Sequence, residues 1–201
     1  MKLALFGYGG HAREVATQIN KTVDFFVDDE YSNDIAKPIS SFDPTTYTMM
    51  IAVADSKERK KIIQKLPQNT TYFTFVHPTA LLMSQDIEIG EGSFIGAYSI
   101  LTTNIKVGKH TILNRGNQIG HDSIIGDFFS AMPGAIVSGN VRIGECVYMG
   151  SNSSVKEKIS VNSDVIIGSN AAVVKNIITG GVYVGVPAKF LKKWFYQTTI
   201  N

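Results

Sequence analysis

From residue 89 the chain reads Ile89-Gly90-Glu91-Gly92-Ser93-Phe94-Ile95-Gly96, and an apolar residue then returns at every sixth position. A period of six fits neither an amphipathic helix, which repeats about every 3.6 residues, nor an alternating strand. It is typical of a solenoid of short strands, in which each coil turns three corners and buries its apolar residues on a shared axis. We therefore predict an all-β parallel β-helix. The repeated apolar positions are Ile89, Ile95, Leu101, Val107, Leu113, Ile119, Ile125, Ala131, Val137, Ile143, Met149, Val155, Val161, Ile167 and Val173.

Glycine often follows the repeated apolar residue. Because glycine has no Cβ, we expect these residues at the corners, where the chain must bend without a steric clash. They are Gly90, Gly96, Gly108, Gly120, Gly126, Gly144, Gly150 and Gly168.

The first 77 residues lack this period and alternate between apolar runs and helical patterns. Strands are predicted at residues 3–6, 23–27, 47–53 and 72–76, with helices after the first and third of them. This alternation indicates a parallel α/β sheet with right-handed crossovers. We predict a Rossmann-like half-domain at residues 1–77, followed by the β-helix domain at residues 78–201, with His77-Pro78-Thr79 at the junction.

Gly7, Gly9 and Ala12 match a glycine-rich phosphate-binding fingerprint, placed between a strand and a helix. Glycines let backbone amides approach a phosphate, and the helix N-terminus favours its negative charge. His11 begins that helix and could donate to a phosphate or face solvent. The pattern favours a nucleotide or nucleotide-sugar site, and the alternative is a tight structural turn.

Three further residues stand at the carboxyl ends of the predicted strands, where such sheets bind ligands. Asp28 and Asp29 end the second strand and could hold a ribose hydroxyl or simply face water. Ala54 follows the third strand and could contact a ligand only through its backbone.

Composition excludes several classes of function. A net charge of +2 gives no general field for nucleic acid or a membrane surface. The basic run at residues 57–61 is interrupted by Glu58 and is interpreted as the solvated face of a helix. Cys146 is the sole cysteine, which predicts a reducing compartment and no structural zinc site. No signal peptide or membrane span is evident, so we expect a cytoplasmic protein.

His121 is the strongest catalytic candidate among four histidines. It follows an inward apolar residue and a corner glycine, so its ring should project from the surface, and Asp122 comes next. A neighbouring carboxylate favours the imidazolium and so strengthens the ring as a general base. His110 stands at an outward position, where solvent exposure is expected, and no pair of histidines has metal-ligand spacing.

Four motifs occur together in this chain: the unbroken hexapeptides, the Gly7-Tyr8-Gly9-Gly10-His11 opening, the Gly120-His121-Asp122 corner and the Gly185-Val186-Pro187-Ala188-Lys189 ending. Over nearly its whole length the chain resembles the left-handed β-helix acetyltransferases that modify nucleotide-linked 4-amino-sugars, related to the sialic acid O-acetyltransferases. The resemblance implies left-handed coils, a homotrimer with active sites between subunits, and acetyl-CoA as cosubstrate without a metal.

The resemblance also implies roles for individual residues. His121 would be the general base and Asp122 its partner. The residues implied for the nucleotide sugar are Gly9, Gly10, His11, Asp28, Asp29, Ala54 and Asn114, and those for acetyl-CoA are Gly139, Ser151, Ser169, Gly185, Pro187 and Lys189. Relatives often carry a second histidine nine residues beyond the base, which contacts the pantetheine arm. Here Ser130 stands at that position, and its hydroxyl could substitute only in part.

The predicted activity is direct acetyl transfer from acetyl-CoA to the 4-amino group of a nucleotide-linked 4-amino-4,6-dideoxysugar. O-acetylation of sialic acid or another sugar is the nearest alternative, and a non-catalytic nucleotide-binding scaffold is a second. The sequence leaves open whether the nucleotide is UDP, dTDP or GDP.

Overall fold

The computed structural model describes residues 1–194. The elements of its first domain are β1 (Lys2–Phe6), α1 (Gly10–Ile19), β2 (Val23–Val27), β3 (Ala36–Pro38), β4 (Tyr47–Ile51) and α2 (Ser56–Lys65), with 3₁₀ turns at Asp29–Tyr31 and Ile39–Ser41. The four strands form a parallel sheet in the order β3-β2-β1-β4. The central strands are apolar runs because both faces of a parallel sheet are covered. Helix α2 is capped by Asp55, whose carboxylate accepts from the Glu58 N–H at 2.9 Å.

The prediction of a fourth sheet strand at residues 72–76 is wrong. Tyr72 makes only an isolated bridge to Met49, and the strand Phe75–Val76 pairs with Phe94–Ile95 of the β-helix instead. The Phe75 ring stacks on Phe94 with centroids 5.8 Å apart, so burial against the solenoid draws this segment away from the sheet. The β-helix therefore starts a few residues before the predicted boundary at residue 77.

The β-helix is a three-sided prism whose strands pair in parallel from coil to coil. Face 1 contains Glu88–Ile89, Lys106–Val107, Ile124–Ile125, Arg142–Ile143 and Ser160–Val161. Face 2 contains Phe75–Val76, Phe94–Ile95, Ile112–Leu113, Ser130–Ala131, Tyr148–Met149, Val165–Ile167, Gly181–Val184 and the antiparallel strand Lys189–Lys192. Face 3 contains Leu81–Leu82, Ile100–Leu101, Gln118–Ile119, Ile136–Val137, Ser154–Val155 and Ala172–Val173. The second residue of nearly every pair points inward, and these residues form the core.

Three edges join the faces, and each is named by the faces it separates. Edge 1/2 contains residues 90–93, 108–111, 126–129 and 144–147. Edge 2/3 contains residues 96–99, 114–117, 132–135, 150–153 and 168–171. Edge 3/1 contains residues 102–105, 120–123, 138–141 and 156–159.

The corner glycines serve a different purpose from the one predicted. The positive-φ residue at each corner stands two positions later, at residues such as Asn104, His110 and Asp122. A Cβ on Gly120 would lie 2.6 Å from the backbone N of Gly139 in the next coil. The glycine is therefore needed for close approach of successive coils rather than for the bend itself.

The first domain packs across face 2. Its Leu5, Val15 and Met50 share a buried cluster with Phe94 and Ile112 of that face. Polar contacts extend to both neighbouring edges: Gln18 Oε1 accepts from the Ala97 N–H at 2.9 Å on edge 2/3, and Lys60 pairs with Glu145 at 2.6 Å on edge 1/2.

Arg59 joins the two domains, and at this one position the prediction that residues 57–61 form a solvated face is wrong. Its side chain is fully buried and reaches six acceptors on both domains. These are the carbonyls of Val53 (2.7 Å), Ala54 (3.2 Å), His110 (2.9 Å), Phe128 (2.8 Å) and Phe129 (3.0 Å), and Ser130 Oγ (2.9 Å). A guanidinium suits this position because its donors form a fixed planar fork. Burial lowers the pKa of Arg59 to about 9.

Candidate active site

His121 and Asp122 form a hydrogen-bonded pair on edge 3/1. His121 Nδ1 lies 2.7 Å from Asp122 Oδ2, and both side chains are substantially exposed, by 58% and 42%. Asp122 adopts a positive φ of 59°, which turns its carboxylate back toward the preceding ring. With Nδ1 engaged, Nε2 is the ring nitrogen left to accept a proton from a substrate.

A second contact fixes the carboxylate. Asn104, one coil earlier on the same edge, donates from Nδ2 to Asp122 Oδ1 at 2.6 Å. The hydrogen bonds from His121 and Asn104 hold the pKa of the Asp122 carboxyl below its ordinary value. Asp122 therefore remains an anion at neutral pH, as a partner for the His121 ring must. Sequence reasoning missed Asn104, although its spacing of one coil from Asp122 could have revealed it.

Gly139, which was predicted to contact acetyl-CoA, lies beside the His121 ring. A Cβ at Gly139 would stand 2.5 Å from Nε2 and 2.7 Å from Cε1 of His121. The absence of a side chain at Gly139 therefore provides the space that the His121 ring occupies on edge 3/1.

The glycine-rich loop is open to a ligand. Gly7 has a φ of +110° and makes the turn, whereas a Cβ on Gly9 or Gly10 would meet nothing within 4 Å. Packing within residues 1–194 thus gives no reason for glycine at these two positions, and the space lies at the N-terminus of α1, where an anion is favoured.

His11 lies in the first turn of α1, directly after this loop and near the domain interface. Its Nε2 is buried and has no hydrogen-bond partner among residues 1–194. Burial, together with the positive charge of Arg59, lowers the pKa of His11 to about 4. The ring is therefore neutral at pH 7 and would contact a ligand by hydrogen bonding rather than as a cation.

The three residues at the strand ends, Asp28, Asp29 and Ala54, differ in the contacts that their polar groups already make. Asp28 pairs with Lys65 at 2.8 Å. Asp29 Oδ1 accepts from the Ser40 N–H at 3.0 Å, and this bond lowers the pKa of the Asp29 carboxyl. The Ala54 carbonyl accepts hydrogen bonds inside the domain interface. The Ala54 carbonyl thus takes part in the contacts that hold the two domains together.

The remaining predicted residues gather on edge 2/3 and beside it. Asn114 is only 3% exposed, and its Oδ1 accepts from the Arg115 N–H at 2.7 Å. Ser151 is half-buried and Ser169 is exposed. The segment at residues 185–189 lies against face 3, since the Ala188 N–H donates to the Ala172 carbonyl at 2.7 Å. Gly185, Pro187 and Lys189 of that segment are exposed.

The prediction that His110 is exposed is wrong, and Ser130 is buried as well. Ser130 lies under the first domain and donates to the Ala54 carbonyl at 2.7 Å, so its hydroxyl is not open to a pantetheine arm in this structure. His110 is 5% exposed rather than solvated, with its ring stacked on Phe128 and edge-on to Tyr72. In both cases the first domain covers the position, which the period of the β-helix could not show.

The predicted residues thus form two groups on different edges of one protomer. His121, Asp122 and Gly139 lie on edge 3/1, opposite face 2. The glycine-rich loop and the edge 2/3 residues lie on the side that carries the first domain. Face 3 separates the two groups.

No group of three or more histidine, cysteine, aspartate and glutamate side chains within residues 1–194 could hold a metal ion. Neither helix in this part of the chain is long and apolar enough to cross a membrane.

Fold and site together define a β-helix acyltransferase with an α/β domain at its N-terminus. Residues 2–66 match the model of the PglD N-terminal domain. The chain is 26% identical over 186 residues to GDP-perosamine N-acetyltransferase of Escherichia coli O157:H7, covering 82% of each protein. These findings support the predicted resemblance to the hexapeptide-repeat N-acetyltransferases.

Solved structures give the same result. The acetyltransferase domain of PglB from Neisseria gonorrhoeae FA1090, in complex with acetyl coenzyme A, superposes with a TM-score of 0.83 at 28% identity, covering 94% of this chain and 98% of that one. WeeI from Acinetobacter baumannii AYE superposes with a TM-score of 0.85 at 26% identity, covering 95% and 100%. These matches confirm the predicted fold class, a Rossmann-like domain followed by a left-handed β-helix.

Proposed function

We propose that this protein transfers the acetyl group of acetyl-CoA to the 4-amino group of a nucleotide-linked 4-amino-4,6-dideoxysugar in the cytoplasm. The observation that carries the proposal is the His121–Asp122 pair, 2.7 Å apart on an exposed edge, with the hydrogen bond made by Nδ1 and not by Nε2. The relatives named above support transfer to nitrogen, and O-acetylation of sialic acid is not favoured.

The reaction needs one base and no acyl-enzyme. The sugar amine attacks the thioester carbonyl, a C–N bond forms, and His121 Nε2 takes the amine proton. A backbone N–H stabilises the tetrahedral oxyanion. The C–S bond then breaks, and the proton passes from His121 to the departing thiolate of coenzyme A. Cys146 is unsuited to nucleophilic attack because burial raises the pKa of its thiol to about 11.

The geometry of the site supports a separate surface for each substrate. The open space above Gly9 and Gly10 at the start of α1 suits the phosphates of the nucleotide sugar. His11, Asp28 and Asp29 border the same end of the sheet. The exposed Ser169 and the segment at residues 185–189 provide polar groups, including the Lys189 ammonium, for acetyl-CoA. Asn114 would contact the sugar through its side-chain amide.

A homotrimer would bring the two groups of residues together. Outward side chains on face 1 include charged residues, and face 2 is covered by the first domain. Face 3 instead presents uncharged residues, among them Leu81 and Ile136 with 51% and 38% exposure. Its outward residues are Leu81, Ile100, Gln118, Ile136, Ser154 and Ala172. Packing copies around face 3 with closed symmetry would place edge 3/1 of one subunit against edge 2/3 of the next.

The first test is acetyl-CoA-dependent thiol release with UDP-, dTDP- and GDP-linked 4-amino-4,6-dideoxysugars, beside free and CMP-linked sialic acid. We expect turnover with one amino-sugar, and loss of about 10²–10⁴-fold in the His121→Ala variant. Turnover with sialic acid alone would contradict N-acetylation. Near-normal turnover of the His121→Ala variant would show that His121 is not the general base.

The second test asks whether one site uses two subunits. His121→Ala disables edge 3/1, and Gly10→Glu brings a carboxylate toward the open phosphate space from a position where a Cβ has no neighbour within 4 Å among the described residues. Each variant alone should be inactive. Co-expressed in equal amounts, randomly mixed trimers should recover about one quarter of the wild-type activity, since one interface in four combines two intact halves. No recovery would mean that both halves belong to one subunit.

A further inference from the structure

We propose that Asn104 is a positioning residue of the acetyl transfer, which acts by holding the Asp122 carboxylate against His121. This inference rests on the proposed function, because it assigns Asn104 a role only through the His121 base. Asn104 would not touch either substrate.

The contacts form a continuous chain along edge 3/1. Asn104 Nδ2 donates to Asp122 Oδ1 at 2.6 Å, and Asp122 Oδ2 lies 2.7 Å from His121 Nδ1. One carboxylate oxygen is thus bound by the amide and the other by the ring. With Oδ1 fixed, rotation of the carboxylate about its χ2 torsion would break both bonds together, so the amide restricts the orientation of Asp122.

Asn104 is itself fixed from the preceding coil. Its backbone N–H donates to Asp86 Oδ1 at 2.8 Å, and Asp86 also accepts from Thr103 Oγ1 at 3.1 Å. The amide therefore projects toward Asp122 from a backbone that is held independently of the active site. This arrangement is preorganised, because the donor is in position before a substrate binds.

The residue type suits the position for two reasons. Asn104 has a φ of 50°, a conformation that asparagine tolerates better than most residues. It also lies between two carboxylates, donating its backbone N–H to Asp86 and its side-chain amide to Asp122. An aspartate at this position would supply no second donor and would add a third negative charge between them.

Asn104→Gly is the sharpest test, because glycine keeps the left-handed backbone and removes only the amide. We expect kcat to fall about tenfold, the usual effect of losing one charge-assisted hydrogen bond, while KM for both substrates stays within twofold. Asn104→Asp should lower kcat at least as much. The matched control is Asn20→Gly, at a φ of 49° on the C-cap of α1, which should leave kcat and KM unchanged.

A double-variant comparison separates positioning from a structural role. In a His121→Ala background, Asn104→Gly should cause no further loss of kcat, because the base it serves is gone. A further tenfold loss there would overturn the proposal, as would a kcat within twofold of wild type in the Asn104→Gly variant alone. A melting temperature well below that of Asn20→Gly would assign Asn104 to stability instead. Normal activity of the His121→Ala variant would contradict the proposed function itself. This result differs from those that contradict only the role of Asn104, so the two cases can be distinguished.

Discussion

The His121 ring lies directly against the Cα of Gly139, one coil further along edge 3/1. A Cβ at Gly139 would fall within 3.0 Å of three ring atoms of His121. The backbone at Gly139 does not have a positive φ, so alanine is permitted by conformation, and the three atoms nearest to its Cβ would all belong to the His121 ring. The position of the His121 ring therefore depends both on the absence of a side chain at Gly139 and on the hydrogen bond to Asp122.

Gly139→Ala should lower kcat by about 10–100-fold, because a displacement of about 1 Å is enough to spoil proton transfer geometry. The ring is the free end of a side chain and can move, so the melting temperature should change little. Steady-state kinetics and thermal unfolding check this. In the His121→Ala background the second change should add no loss, and an additive loss would mean that Gly139 acts on acetyl-CoA directly.

Arg59→Met should separate the two domains. The change leaves carbonyls of Val53, His110 and Phe128 without the guanidinium that binds them, and each unsatisfied buried acceptor costs about 1–3 kcal/mol. We expect the free energy of unfolding to fall by at least about 3 kcal/mol, with faster proteolysis between α2 and the β-helix. Arg142→Met is the control, because Arg142 is exposed on face 1. Equal stability of the two variants would contradict the interface role.

The sequence predicts contacts along the β-helix far better than contacts between the domains. Once the period is known, residues eighteen apart must be neighbours on one edge, as Asn104 and Asp122 are, or His110 and Phe128. No comparable rule connects Arg59 with Phe128, because that contact depends on how a helix of the first domain lies across face 2. A lysine-rich run around one arginine looks like a solvated surface until the docking geometry is known.

The same limit explains the errors at single positions. Ser130 and His110 occupy ordinary outward or corner places in the repeat, and the first domain buries both. The segment at residues 72–76 has the composition of a sheet strand, and only the stacking of Phe75 on Phe94 decides which sheet it joins. The His121–Asp122 pair, in contrast, could be predicted from the sequence because the two residues are adjacent in the chain.

His110 should make stability depend on pH. Burial and the charge of Arg59 lower the pKa of His110 from 6.5 to about 4, so the unfolded chain takes up a proton at a higher pH than the folded one. This contribution to stability is complete above pH 6.5 and is lost as the pH falls toward 4, at up to about 1.4 kcal/mol per pH unit. His11 contributes in the same direction.

Denaturant unfolding at pH 7.5, 6 and 5, at one protein concentration, measures this dependence. His110→Asn suits the comparison because asparagine tolerates the φ of 52° at this position. The variant should lose less free energy of unfolding between pH 7.5 and 5 than the wild type does, whatever its stability at pH 7.5. An identical pH slope would show that His110 is protonated equally in the folded and unfolded states.

Ser130→Ala tests whether Ser130 contacts acetyl-CoA, as the resemblance implies, or contributes only to the domain interface, as its burial indicates. If Ser130 stood in for a histidine that contacts the pantetheine arm, removing its hydroxyl would raise KM for acetyl-CoA. The hydroxyl is instead buried between Ala54 and Arg59, and Arg59 still reaches the Ala54 carbonyl when it is gone. We therefore expect a loss of about 1 kcal/mol in stability and no change in KM for acetyl-CoA. Ser169→Ala, on the exposed edge 2/3, should show the opposite result, with a raised KM and unchanged stability. A severalfold rise in KM in Ser130→Ala would mean that the first domain lifts from face 2 during turnover.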